Sequence, residues 1–224
     1  MAAEQTVAAA LGVEPGLCAI IGSGGKTSLL LRLAGELPGR VIVCTSTRIL
    51  PPPLPLYTGA DEAALAALLQ AHGVVCAGTA AERGKLAAPA LPFAALCRLA
   101  DYVLVEADGA KKLPLKAHAE HEPVIPACAG RTVCVVGVDG LGAPVSQTCH
   151  RPQIFAQLVG VSVDDAVTPE AVAAVLCAEA LHDVVLINKV ETAADWQVAR
   201  RIAALCDTPV VAGSLWRDDL RCLR

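Results

Sequence analysis

The sequence predicts an α/β fold, a mostly parallel sheet with helices on both faces, and three observations carry that expectation. Short apolar runs alternate with longer stretches of helical period along the chain, as in strands joined in parallel through helical crossovers. A glycine-rich turn, Gly22-Ser-Gly-Gly-Lys-Thr27, separates the first apolar run from the first helical one. Further apolar runs end in polar residues, Glu106-Ala-Asp108 and Asn188-Lys-Val-Glu191, where strand ends of an open α/β sheet carry ligands.

The elements follow in order. Leu17 to Ile21 reads as a strand and Lys26 to Glu36 as a helix that Pro38-Gly39 closes. Arg40 to Thr45 is a second strand, and Asp61 caps a helix to His72 that Gly73 stops. Val74 to Cys76 is a short strand, Phe93 to Leu99 a helix, and Tyr102 to Glu106 and Thr132 to Val138 are strands, which makes the core five strands wide. Pro152 to Val159 and Pro169 to Ala180 are helical, the second with Thr168 as cap and Pro169 at the favoured first position. Val184 to Asn188, a helix from Ala193 to Leu205, and Pro209 to Ala212 complete the pattern. Two segments stand outside it. Leu50-Pro-Pro-Pro-Leu-Pro-Leu56 must be extended, because a residue before proline is pushed from helical geometry; it reads as a surface connection. Ala107 to Ala129 has little period, and loops of that length are functional or disordered. No repeat or linker interrupts residues 1–224, so a single domain is expected.

Composition narrows the function. A hydrophobic fraction of 54% against 18% charge supplies a core and excludes global disorder. With two Trp, two Tyr and two Phe, a net charge of −4 and no basic tract, a nucleic-acid partner is not expected. No apolar run reaches the ~18 residues of a membrane span, and Met1-Ala-Ala-Glu-Gln-Thr-Val7 lacks a positive leader region, so a cytoplasmic protein without a membrane partner is expected. The ten cysteines include no C-x-x-C pair and lie mostly in apolar runs, as buried small hydrophobes do. Cys149, beside His150 in a polar stretch, is the exception.

The turn has the grammar of a phosphate-binding loop. The backbone of Gly22, Ser23, Gly24, Gly25, Lys26, Thr27 and Ser28 can curl around phosphate oxygens at a helix start, Lys26 supplies charge, and Thr27 can place a hydroxyl on Mg²⁺. The strict G-x-x-x-x-G-K-[ST] spacing would put glycine at Ile20, so this is a shortened G-x-x-G-K-T. ATP or GTP with Mg²⁺ is the expected ligand; the plain alternative is a strand-to-helix turn that binds nothing. Strand alternation puts Glu106 and Asp108 on one side. One can hold Mg²⁺ and the other can orient water or accept a proton, so with Lys26 they are the catalytic candidates. Spacing does not decide which acid does which.

Asn188-Lys189-Val-Glu191 resembles the N-K-x-D base-reading motif of GTPases, with Glu in place of Asp. A carboxylate accepts the paired N–H donors of guanine, which adenine lacks; the alternative is an ordinary helix start. Thr45 or Thr47 could complete the Mg²⁺ shell, and Arg48 could touch phosphate or substrate. Lys111, Lys112 and Lys116 continue that rim toward an anionic substrate or partner, and His150 and Arg151 could face the same cleft. His118 and His121, three apart, invite a metal.

Together, Gly22-Ser-Gly-Gly-Lys-Thr27, Thr45-Ser-Thr-Arg48, Val105-Glu-Ala-Asp-Gly109 with Leu113-Pro-Leu-Lys116, Glu120-His-Glu-Pro-Val-Ile-Pro126, Val136-Gly-Val-Asp-Gly-Leu-Gly142, His150-Arg-Pro152 and Ile187-Asn-Lys-Val-Glu191 occur in an order that resembles the YqeC family, accessory proteins of selenium-dependent molybdenum hydroxylases. The likeness runs from about Leu17 to Leu215. It implies a three-layer P-loop NTPase-like fold and a role in preparing or inserting the molybdenum cofactor, with that cofactor as cargo and a molybdenum hydroxylase as partner. Two departures stand out: the family commonly has a longer threonine run ending in lysine where Arg48 stands, and Asp where Glu191 stands. An Mg²⁺-dependent NTPase is the reading these residues favour. The alternatives are an ATP-dependent small-molecule kinase or ligase and a non-catalytic cofactor chaperone gated by nucleotide.

Overall fold

The computed structural model describes residues 6–217 and 219–224, so most of the start that was read for a leader, Met1 to Gln5, lies outside the described residues. Its strands, in chain order, are β1 (Gly16–Gly22), β2 (Val41–Thr45), β3 (Arg48–Ile49), β4 (Leu56–Tyr57), β5 (Val74–Ala77), β6 (Thr79–Ala80), β7 (Leu86–Ala87), β8 (Tyr102–Glu106), β9 (Leu115–Lys116), β10 (Ala129–Gly137), β11 (Cys149–His150), β12 (Val184–Asn188), β13 (Val210–Ala212) and β14 (Arg221–Cys222). Its helices are α1 (Val7–Leu11), α2 (Lys26–Glu36), α3 (Glu62–His72), α4 (Phe93–Leu99), α5 (Val145–Thr148), α6 (Pro152–Val159), α7 (Pro169–Glu179) and α8 (Ala193–Leu205). Nine strands make a mostly parallel sheet in the order β14-β13-β12-β10-β1-β8-β2-β5-β4. Flanked by helices, it is consistent with a three-layer P-loop NTPase-like fold. Among the described residues no helix is long and apolar enough to cross a membrane.

The chain divides into two compact units. One comprises the described part of Met1–Ile20 with Thr27–Gly109 and Val124–Thr132; the other comprises Ile21–Lys26, Ala110–Pro123 and Val133–Arg224. In the first, β8 pairs in parallel with β1 and with β2, in a register that sets Glu106 beside both Ile20 and Thr45. Every residue of β8 is buried, which is why its sequence is a continuous apolar run rather than an alternating one. In the second, β10 and β12 pair in parallel and set Gly137 beside Asn188. Local chemistry fixes the helix starts. Asp61 Oδ1 accepts from Ala63 N at 2.8 Å ahead of α3, Thr168 Oγ1 accepts from Ala171 N at 3.1 Å ahead of α7, and Thr192 with Asp195 forms a capping box on α8.

Several short elements lack a sequence signal. The proline-rich connection is extended as its prolines require, but Leu56–Tyr57 then joins the sheet edge beside β5, and Leu54 packs on Ile49, Cys76 and Leu86. Two-residue strands β3, β7 and β6 form a separate antiparallel sheet. Within the aperiodic stretch 107–129, β9 pairs in parallel with β11. Strands of two residues show no period, so only their partners reveal them.

Candidate functional site

In the second unit, β1 ends at Gly22 and α2 opens at Lys26. Gly22, Gly24 and Gly25 hold φ of +86°, +85° and +136°, a region that side chains disfavour. Space enforces the same choice. A Cβ on Gly22 would lie 2.4 Å from Val135 O, and one on Gly24 would lie 2.3 Å from Gly137 N. Ser23 N donates to Val135 O at 2.8 Å, and its hydroxyl donates to Leu113 O. Lys26 Nζ folds back to donate to Gly22 O at 2.7 Å. Asn188 closes the loop from β12: its Nδ2 donates to Gly24 O at 2.9 Å, and its Oδ1 accepts from Leu215 N at 3.2 Å. The residue expected to tie the base-reading loop together thus also braces the glycine turn.

In the first unit, Thr27 Oγ1 donates to Glu106 Oε2 at 3.3 Å. Thr45 Oγ1 donates to the Glu106 carbonyl at 2.7 Å and accepts from Thr47 N at 3.0 Å, and the two threonine hydroxyls lie 3.3 Å apart. The Ser46 hydroxyl is buried with no hydrogen-bond partner among the described residues. Asp108 is fully buried, Glu106 nearly so, and Arg48 is exposed. Hydroxyl and carboxylate oxygens suit a hard cation. Among the described residues no three His, Cys, Asp or Glu side chains form a metal cage. Mg²⁺ ordinarily needs only one or two carboxylates beside phosphate oxygens, so the donor set fits that ion.

The remaining candidates are placed as follows. Ser28 is half-buried in the first turn of α2. Lys189 has φ +66° and pairs with Asp139 at 2.7 Å. Glu191 is engaged by the segment after β13: Oε1 accepts from Ser214 Oγ at 3.0 Å, and Oε2 faces Arg217 Nη2 at 3.1 Å. Lys111 and Lys112 are exposed. Lys116, expected on the rim, has an enclosed side chain that meets Glu122 Oε2 at 3.0 Å, the same oxygen that Arg151 Nε reaches at 2.9 Å. Burial would raise the Glu122 pKa, but hydrogen bonds from Arg151 and Lys116 and their charges outweigh it and hold the carboxyl at about 2. Burial lowers the His150 pKa, and the charges of Lys116 and Arg151 lower it further.

Two expectations are corrected by packing. His118 and His121 face different partners: Glu179 Oε2 lies 2.7 Å from His118 Nδ1 and Glu179 Oε1 accepts from His118 N at 2.6 Å, whereas His121 Nε2 faces Arg151 Nη2 at 3.3 Å. Cys149 is buried rather than in a polar loop, and burial pushes its thiol up to about 12, which leaves it unreactive. Glu122, Glu179, Ser214 and Arg217 were not singled out by sequence. Glu122 alone had a signal, its place in the Glu-Pro-Val-Ile-Pro block.

The family model described as YqeC protein matches residues 18–153. A protein of Escherichia coli (strain K12), "Uncharacterized protein YqeC", is 36% identical over 165 residues, which cover 67% of this chain and 63% of that relative. The matched part thus spans under two thirds of the relative's length.

Proposed function

The chain belongs to the YqeC family, and we propose that it binds a nucleoside triphosphate with Mg²⁺ on residues 22–28 and hydrolyses it. The observation that carries this reading is the glycine turn. Three glycines at positive φ, two of them set too close to neighbouring backbone for a Cβ, present backbone at a helix start, the arrangement that holds phosphate. Lys26 exchanges its bond to Gly22 O for phosphate oxygens. Lys26 and Thr27 are consecutive, so the Thr27 hydroxyl, which donates to Glu106 Oε2, follows the loop directly in the chain. Mg²⁺, when bound, neutralises charge on the transferring phosphate. Thr27 and either Glu106 or Asp108 would hold it, with Thr45 or Thr47 completing its shell; the other acid would position the attacking water.

Asn188, Lys189 and Glu191 form the base-reading side of the proposal. Guanine would exchange with Arg217 for the Glu191 carboxylate, a surface ion pair worth at most about 1 kcal/mol. That small cost leaves both GTP and ATP open to measurement. The resemblance of the motifs supports a further role, the use of hydrolysis to prepare or insert the molybdenum cofactor of a selenium-dependent hydroxylase.

Phosphate release tests the site. Lys26→Ala is expected to lower it by about a hundredfold, and equal release by variant and parent would overturn the assignment. A thermal-shift comparison of ATP, GTP and their diphosphates with Mg²⁺ then reads the base, since a ligand at ~100 times its dissociation constant adds about 2.7 kcal/mol of stability.

A further inference from the structure

In the second unit, cationic side chains gather around the short β9–β11 pair. The parallel register sets His150 directly beside Lys116, and Ala117 N donates to His150 O at 3.1 Å. Partners across a parallel pair project to the same face. Arg151 follows with φ +67°, and Pro152 opens α6 immediately after it. Lys116 Nζ and Arg151 Nε converge on one oxygen, Glu122 Oε2, at 3.0 and 2.9 Å. His121 Nε2 stands 3.3 Å from Arg151 Nη2.

We propose that this cluster is a second anion site that takes a phosphate monoester or inorganic phosphate, with Arg151 and Lys116 as its cationic ligands, His150 as a neutral imidazole at its edge, and Glu122 as an internal competitor. Two cations already share one carboxylate oxygen. A dianion with three free oxygens satisfies the same donors and brings the second negative charge that a carboxylate lacks. Burial is the largest cause that disfavours the His150 imidazolium, and the charges of Lys116, Arg151 and Lys111 add to it while Glu122 opposes them. A neutral ring keeps one nitrogen as donor and one as acceptor, so it can donate to phosphate without adding charge. The site is independent of nucleotide on the glycine turn and would receive a second, phosphorylated small molecule.

Calorimetric titration of inorganic phosphate into the full chain carrying Lys26→Ala reads this site with the glycine turn disabled. Saturable binding is expected, weakened about tenfold by a further Arg151→Ala and tightened about threefold by a further Glu122→Gln, which removes the competitor. Acetate at equal concentration should not displace phosphate. Glu122→Gln takes a partner from the enclosed Lys116, so Arg151→Lys serves as the second variant: it keeps the charge, loses the fork, and should weaken phosphate about threefold with unchanged melting. Absence of binding, binding indifferent to Arg151, weakening by a folded Glu122→Gln protein, or equal competition by acetate would each overturn the proposal. ADP titrations separate the two sites, since nucleotide binding should be lost in Lys26→Ala and kept in Arg151→Ala.

Discussion

The glycine turn at residues 22–26 and the segment at 110–123 belong to the same unit and touch, the Ser23 hydroxyl donating to Leu113 O. Both contain left-handed backbone, but the residues that adopt it differ. The turn places glycine at each such position, with φ +86°, +85° and +136° at Gly22, Gly24 and Gly25. The other segment uses Lys111 and Lys112, at φ +49° and +62°. Glycine takes that geometry without steric cost, whereas an L side chain meets its own carbonyl there. Both are braced from far along the chain, the turn by Val135 and Asn188 and the other segment through His118 to Glu179, Glu122 to Arg151, and Leu115 to Cys149; only the turn meets its left-handed positions with glycine.

The largest expected effect breaks the glycine turn. Gly24→Ala would set a Cβ 2.3 Å from Gly137 N and 2.9 Å from Pro114 O, at φ +85°. Backbone cannot retreat as a flexible side chain can, so strain and overpacking together should cost about 3 to 5 kcal/mol in urea unfolding. Stabilisation by Mg²⁺-nucleotide should vanish with it. A loss under about 1 kcal/mol would mean that the turn is loose rather than glycine-determined.

That difference also explains what the sequence could reveal. The helix over Lys26 to Glu36 and the strands over Tyr102 to Glu106 and Val184 to Asn188 match their expected bounds, because period, caps and apolar runs are local signals. The Asn188 bond to Gly24 O goes beyond the motif, which assigns the asparagine to its own loop and not to the glycine turn. By contrast, Glu179 lies sixty-one residues from His118, and Ser214 lies twenty-three from Glu191. Neither serine nor glutamate carries a mark of such pairing. The burial of Lys116 was illegible for the same reason: three nearby lysines read as a solvated rim until Glu122 and Arg151 are seen beside one of them.

An intermediate effect probes the segment at 110–123 by pH. The Glu122 carboxyl is lowered from 4.5 to about 2 in the folded protein, so the unfolded chain binds its proton first as pH falls. Its contribution is therefore complete above about pH 4.5 and is lost toward pH 2. Screened by solvent, it should amount to about 1 kcal/mol. Denaturant midpoints at pH 6 and pH 3 should differ less in Glu122→Gln than in the parent. An unchanged difference would show that the cations around it fasten nothing.

The smallest effect concerns the left-handed lysines. Lys112 is exposed and holds φ +62°, and relief of that geometry by Lys112→Gly is worth about 1 to 2 kcal/mol. The freer unfolded chain of the glycine variant takes back about 0.5 to 1 kcal/mol. The variant should thus be more stable by about 0.5 kcal/mol, read as a small rise in melting temperature at unchanged cooperativity. If stability instead falls by that amount, the ammonium contributes a contact that outweighs the backbone strain, and lysine stands there for what its side chain does in the folded protein. If it rises, this segment tolerates a poor backbone residue that the glycine turn could not. The comparison then reduces to crowding: Gly24 is enclosed by the Gly137 and Pro114 backbone, and Lys112 projects into solvent.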